Sequence, residues 1–321
     1  MAHIQITHLM PSSMKDWSIW RENYQNLGKP VEATVNKANQ TICVDRILVS
    51  LDSSRHSFAA LQAAIQLAHH FDATIHGVFV EDITLLDLAK MPFRQEVGEY
   101  SAIVREFSSE DMSRGILVQS RWVIKTFKKL INQTDLQGDF TVITGNVNEV
   151  IANETENYDL LVMGKSGTNT MQKGRLGSTT RAIIREQINP ILIVEEGNHL
   201  GFPTIVLFEN TNQGMISLGT CKSLLDPDDT MIIVILDDDP ASTQSKKILL
   251  SEWASENQIN ISIQSYSTRT LSRFIQKIRG LKKGLFVLPY LQNITSEQMV
   301  NLFLERISLP ILLIKTPTKC E

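Results

Sequence analysis

The residues with the most chemistry to offer are three glycines and the polar side chains around them. Met163-Gly164-Lys165-Ser166-Gly167 is followed, after nine further residues, by Gly177-Ser178-Thr179. This G-x2-G-x9-G-S spacing comes directly after a strand-like run, LLVMG, and directly before a helix-like run over 178–187. At Gly164 the missing Cβ would let a ligand approach the backbone closely. Gly167 is expected to supply positive φ in the turn. Gly177 leads into a helix N-terminus, whose free amides and positive dipole end attract phosphate. Ser178 and Thr179 are expected to cap that helix and to donate hydroxyls to phosphate oxygens. Lys165, Lys173 and Arg175 add positive charge around the loop.

A second set of residues lies where it would complete such a site. Asp52, in Ser50-Leu51-Asp52-Ser53, comes just past a first apolar run and could accept from a base or ribose group. Phe79 and Val80 end a second run, where backbone atoms could read an adenine edge. In an open parallel sheet, ligands sit beyond the carboxyl ends of the strands at the switch point in strand order.

Other constellations carry less. Gly164-Lys165-Ser166 looks like the tail of a P-loop, but the earlier glycine would fall at 159, where Asp159 stands. His69, His70 and His76 lack carboxylates placed to complete a metal site. Asp237-Asp238-Asp239, and Asp226 with Asp228 and Asp229, lack the spacing, glycine and terminal glutamate of a calcium loop and read as acidic loops. No Gly-x-Ser-x-Gly elbow is present.

The elements that must position these residues alternate. Strand-like runs fall at 46–51, 74–80, 140–144, 160–164 and 190–194, with helical patterns at 57–71, 96–132 (interrupted near 113–115), 147–156 and 178–187. Near-continuous apolar strands alternating with helices predict a parallel sheet covered on both faces. The pattern then repeats, with runs at 204–208, 231–236, 261–266, 285–288 and 309–314. Such self-similarity marks two copies of one unit, joined by turn residues at 197–203. Where the first copy has its glycine loop, the second has Leu288-Pro289-Tyr290-Leu291, and Pro289 has no N–H to offer a ligand. Residues 1–42 belong to neither copy. They include Trp17 and Trp20 at helical spacing, either packed on the body of the protein or forming a docking segment.

Composition sets the outer bounds. The chain has 321 residues, 42% of them hydrophobic and 21% charged, with a net charge of −4. That excludes a disordered or fibrous chain and argues against a broad nucleic-acid footprint. Three widely spaced cysteines suggest no disulfide framework, and no apolar stretch is long enough to span a bilayer. The expectation is a cytoplasmic protein.

The first copy resembles the universal stress protein family in its ATP-binding branch. The matching residues are RILVSLD at 46–52, Gly145-Asn146 before a helix, YDLLVMG at 158–164, the glycine loop, and NPILIV at 189–194. The resemblance covers about 44–196 well and about 203–316 more weakly, as a degenerate second copy. It implies an α/β fold of two tandem five-stranded parallel sheets of order 3-2-1-4-5, with an extension over 1–42 and fold copies over 43–197 and 203–316. It also implies ATP, or ADP or AMP, with magnesium on the phosphates. Asp52 and the end of the second strand would lie around the adenosine, Gly164 and Gly167 near ribose and phosphates, and Gly177, Ser178 and Thr179 on the phosphates. Ser50, Leu51, Ser53, Met163, Lys165 and Arg175 flank these positions. Ser50 and Leu51 stand where relatives commonly carry small residues or proline. The implied function is nucleotide-binding regulation in the stress response, by a chain that pairs its two copies internally and pairs again as a homodimer. The alternatives are a slow ATPase or phosphoryl-transfer enzyme, and an interaction module that no longer uses nucleotide.

Overall fold

The computed structural model describes residues 41–88, 95–97, 104–106, 109–167, 176–226, 228–290 and 297–315. The chain divides into two units, Met1–Asn36 and Lys37–Glu321, and the described residues belong to the second. The expected tryptophan helix near the N-terminus, and Lys173 and Arg175, lie outside the described residues.

The first half contains β1 (Arg46–Ser50), α1 (Arg55–Phe71), β2 (Thr74–Asp82), α2 (Ile83–Leu88), β3 (Gln95–Val97), β4 (Val104–Glu106), α3 (Ser109–Ile131), β5 (Gly138–Gly145), α4 (Val147–Thr155), β6 (Leu160–Gly164), α5 (Ser178–Glu186) and β7 (Ile191–Val194). The second contains β8 (His199–Phe208), α6 (Asn212–Ser223), β9 (Thr230–Leu236), α7 (Pro240–Asn257), β10 (Asn260–Tyr266), α8 (Leu271–Ile278), β11 (Lys283–Pro289), α9 (Glu297–Arg306) and β12 (Ile311–Ile314).

Each half has the expected order. The sheet runs β10-β9-β8-β11-β12-β7-β6-β1-β2-β5, so both halves are 3-2-1-4-5 and they share one ten-stranded sheet. Within each half, every pairing in this ten-stranded sheet is parallel. The junction between halves is antiparallel, with Ile311 opposite Ile193, Leu312 opposite Leu192 and Leu313 opposite Ile191. All six side chains are buried. Their burial is favourable by about 1.5–3 kcal/mol each, and the junction covers two strand edges that would otherwise invite foreign pairing.

Local chemistry accounts for the helices that matter below. Ser54 caps α1 by accepting from the Ser57 amide, and the face Ala60, Leu61, Ala64, Leu67 and Ala68 is buried at helical spacing. Asn146 caps α4 through the amides of Asn148 and Glu149. Thr211 caps α6 through the Gly214 amide, as Ser54 does α1.

Four expectations are corrected. The helix over 96–132 does not break near 113–115. It runs unbroken from Ser109, because Gly115 is exposed and has nothing packed against it. Its expected first part holds the antiparallel hairpin β3–β4 instead. The predicted linker at 197–203 is largely strand, since β8 begins at His199 and pairs with Lys283 of β11. Cys43 is disulfide-bonded, whereas Cys221 is free and buried, which pushes its thiol up.

Candidate functional site

Strand order reverses between β1 and β6, since β1 is flanked by β2 on one side and β6 on the other. A cavity of about 410 Å³ opens there, beyond the carboxyl ends of β1, β2 and β6. Ser50, Leu51, Asp52, Ser53, Phe79, Val80, Met163, Gly164, Gly167, Gly177, Ser178 and Thr179 all line it. Residues far apart in sequence thus meet because three parallel strands deliver their ends to one crevice.

Asp52 knits the crevice together. Its Oδ1 accepts from the Ser54 amide at 2.9 Å, and its carbonyl accepts from the Ser57 hydroxyl at 2.8 Å. Its Oδ2 lies so near Gly167 that a Cβ there would be 3.2 Å away. The carboxylate therefore spans the start of α1 and the glycine loop.

The start of α5 is open. Gly177, not Ser178 or Thr179, is the N-cap, and among the described residues no side chain caps the first-turn amides. The Gly177 amide itself donates to the Lys165 carbonyl at 2.9 Å. Amides in the first turn of a helix have no intrahelical acceptor, so those of Ser178, Thr179 and Thr180 are left for a ligand. Thr180 turns its hydroxyl to the Gly164 carbonyl at 3.0 Å and fixes the loop to the helix.

The glycines do different work from that expected. Gly167 does not adopt positive φ; the left-handed glycines among the described residues are Gly197, Gly201 and Gly284. It is small because Asp52 comes close. A Cβ on Gly164 would meet the His56 and Ser57 backbone at 2.9 Å, so that glycine serves the packing of α1 on β6.

Lys165 is the main departure. It does not line the cavity. It is 4% exposed, and its Nζ lies 2.9 Å from Glu195 Oε2. Its side chain is held instead by Glu195, which directly follows β7. Among the described residues, the charged ones that line the cavity are Asp52 and Asp82.

Sequence reasoning missed Asp82, Leu85, Ile116, Gln119, Val147 and Ile151. Leu85, Ile116 and Gln119 belong to α2 and α3, the long insertion between the second and third strands of the first half. The signal was the buried spacing Ile116, Ser120, Val123, Phe127, Ile131, which turns one side of α3 to the sheet. These residues and Val147 and Ile151 give the crevice an apolar wall opposite the open helix end. Among the described residues no histidine lines it, and His56 is engaged with the Glu196 amide at 2.9 Å. Among the described residues no cluster of three or more His, Cys, Asp or Glu could hold a metal.

An open parallel α/β sheet with a crevice at its switch point and an uncapped helix end defines a ligand-binding fold of the doubly wound class. Residues 44–195 match the model of the universal stress protein family. A universal stress protein of Methanocaldococcus jannaschii is 23% identical over 152 residues, 47% of this chain and 82% of the relative. The stress response protein NhaX of Bacillus subtilis is 25% identical over 162 residues, 47% of this chain and 98% of the relative. The crystal structure of a universal stress protein from Archaeoglobus fulgidus covers 88% of this chain and 99% of its own length, with a TM-score of 0.64 and 14% identity. That coverage extends the likeness of fold through the second half. No helix among the described residues is long and apolar enough to cross a membrane.

Proposed function

We propose that the first half binds an adenine nucleotide, with ATP the first candidate, and that occupancy regulates the protein rather than feeding a chemical reaction. The observation that carries this reading is the uncapped start of α5 opening into an apolar-walled crevice at the switch point. The base would lie against Phe79, Val80, Leu85, Ile116 and Ile151, the ribose toward Asp52, and the phosphates on the amides and hydroxyls of Ser178 and Thr179. Magnesium would bind through the phosphates. Regulation follows if the nucleotide binds two states of the protein unequally. A cytoplasmic stress-response role, a homodimer and an absence of nucleic-acid partners complete the proposal.

Calorimetric titration of the pure protein with ATP, ADP and AMP tests it. One site per chain with saturation below millimolar ATP is the expected result. No heat at millimolar concentrations of all three overturns it.

A further inference from the structure

Two buried lysines tie the site in the first half to the second half. Lys165 directly follows β6, and besides Glu195 its Nζ donates to the Ile307 carbonyl at 3.4 Å. Ile307 follows α9, and its amide donates back to Phe303. Lys315 directly follows β12 and crosses in the opposite direction. It is 4% exposed, and its Nζ donates to the carbonyls of Ile184 and Gln187, in and just after the last turn of α5. Its ammonium lies 4.5 Å from the centroid of the Tyr290 ring.

The arrangement is reciprocal. Gln187 follows α5 as Ile307 follows α9, and each amide donates to the residue four before it. Each lysine thus meets the carboxyl end of the last helix of the opposite half, where orphan carbonyls and the negative dipole end favour a cation. Lys165 and Tyr290 occupy matching places after the fourth strand, each donating its amide to the end of the fifth. Glu195 and Lys315 likewise follow the fifth strands. In each half, one of these two positions holds the lysine and the other its partner. A surface pair, Arg181 of α5 to Glu305 of α9 at 3.3 Å, adds a further contact.

What these lysines hold is the site itself. The Lys165 carbonyl receives the Gly177 amide and so sets where α5 begins. Lys315 holds the other end of the same nine-residue helix, only about 13 Å from the first-turn amides at a rise of 1.5 Å per residue. A short helix fixed at its carboxyl end cannot shift its amino end independently. Because a buried ammonium needs its partners, each lysine over-determines the position of the group it meets.

We propose that Lys165 and Lys315 are positioning residues through which the second half sets the placement of the glycine loop and α5, and with it the affinity of the site in the first half. The affinity part rests on the nucleotide reading above; the placement part does not.

The test compares Lys315→Met with Lys246→Met, which breaks an ion pair internal to the second half and touches neither α5 nor the loop. ATP affinity is measured by calorimetry, and amide hydrogen exchange is followed by mass spectrometry across the whole chain. In Lys315→Met the expected result is about tenfold weaker ATP binding and faster exchange confined to α5 and the adjoining loop. Lys246→Met leaves both unchanged. Unaltered ATP affinity in Lys315→Met, or a general rise in exchange shared by both variants, overturns the proposal. If the wild-type protein binds no ATP, the nucleotide reading falls and exchange decides alone. Loosening confined to α5 then upholds the positioning role, and unchanged exchange at α5 overturns it.

Discussion

The two halves begin from the same plan and use their loops in opposite ways. Two residues before the helix cap stands an acid in each, Asp52 before Ser54 and Glu209 before Thr211. Where Ser57 donates a hydroxyl to the Asp52 carbonyl, Gly214 lets the Glu209 carbonyl press directly on the helix. After the second strand the contrast is sharper. Asp82 lines the crevice and only steadies the Thr84 amide of its own loop at 2.8 Å. In the second half, Asp238 takes both the amide and the hydroxyl of Thr268 at 2.9 and 2.6 Å, stitching the end of β9 to the loop after β10. Asp237 takes Lys246 and Ser242, both at 2.6 Å. Burial pushes the Asp237 carboxyl up, but hydrogen bonds from Lys246, Ser242 and the Asp239 backbone outweigh it and hold the group below its usual value. One fold yields a crevice or a cross-linked end according to whether the acids at the strand tips reach across to neighbouring loops.

The largest effect expected from breaking this contrast is at α5. Ser178 is exposed in the first helical turn, where a glutamate suits the helix dipole. Ser178→Glu should therefore keep or slightly raise the melting temperature while setting a negative charge against the phosphates. An affinity loss of at least about 100-fold, or about 2.7 kcal/mol, is expected by calorimetry. Unchanged affinity would mean the phosphates lie elsewhere. A smaller effect is expected from Asp238→Ala, which leaves the Thr268 amide and hydroxyl without their acceptor. Chemical denaturation should show a loss of about 1–3 kcal/mol, with ATP still bound at one site per chain. A second site appearing in this variant would show that the cross-link alone distinguishes the halves.

Much of this was legible in the sequence because it depends on local periodicity. Apolar runs alternating with helical spacing gave the strands, their repetition gave the two halves, and the glycine spacing located the end of β6 and the start of α5. What escaped depends on contacts between distant segments. Lys165 reads as a phosphate ligand only if the loop is considered alone. Gly164 pairs in register with Val194, so Lys165 and Glu195 are neighbours by strand pairing, and that clue was present in the two apolar runs. The Ile307 carbonyl was not foreseeable, since it arrives only when β7 and β12 join. Gly115 misled because an exposed glycine costs a long helix only about 1 kcal/mol, which the buried face of α3 outweighs.

The smallest expected effect concerns pH and tests the link between the halves. Burial lowers the Lys315 ammonium from 10.5 to about 8. Between those values the unfolded chain holds a proton there that the folded chain has lost. This group's contribution to stability therefore rises with pH across that window, by at most about 1.4 kcal/mol per unit. The site should respond in the other direction. Neutral Lys315 still donates to the α5 carbonyls but no longer balances the negative end of the helix, so the grip on α5 slackens. ATP affinity should fall a few-fold between pH 7 and 9 in the wild-type protein. In Lys315→Met the affinity, already lower, should not show this fall. Opposite trends in stability and affinity would separate a positioning lysine from one that merely fills the core, because a core residue would move both together.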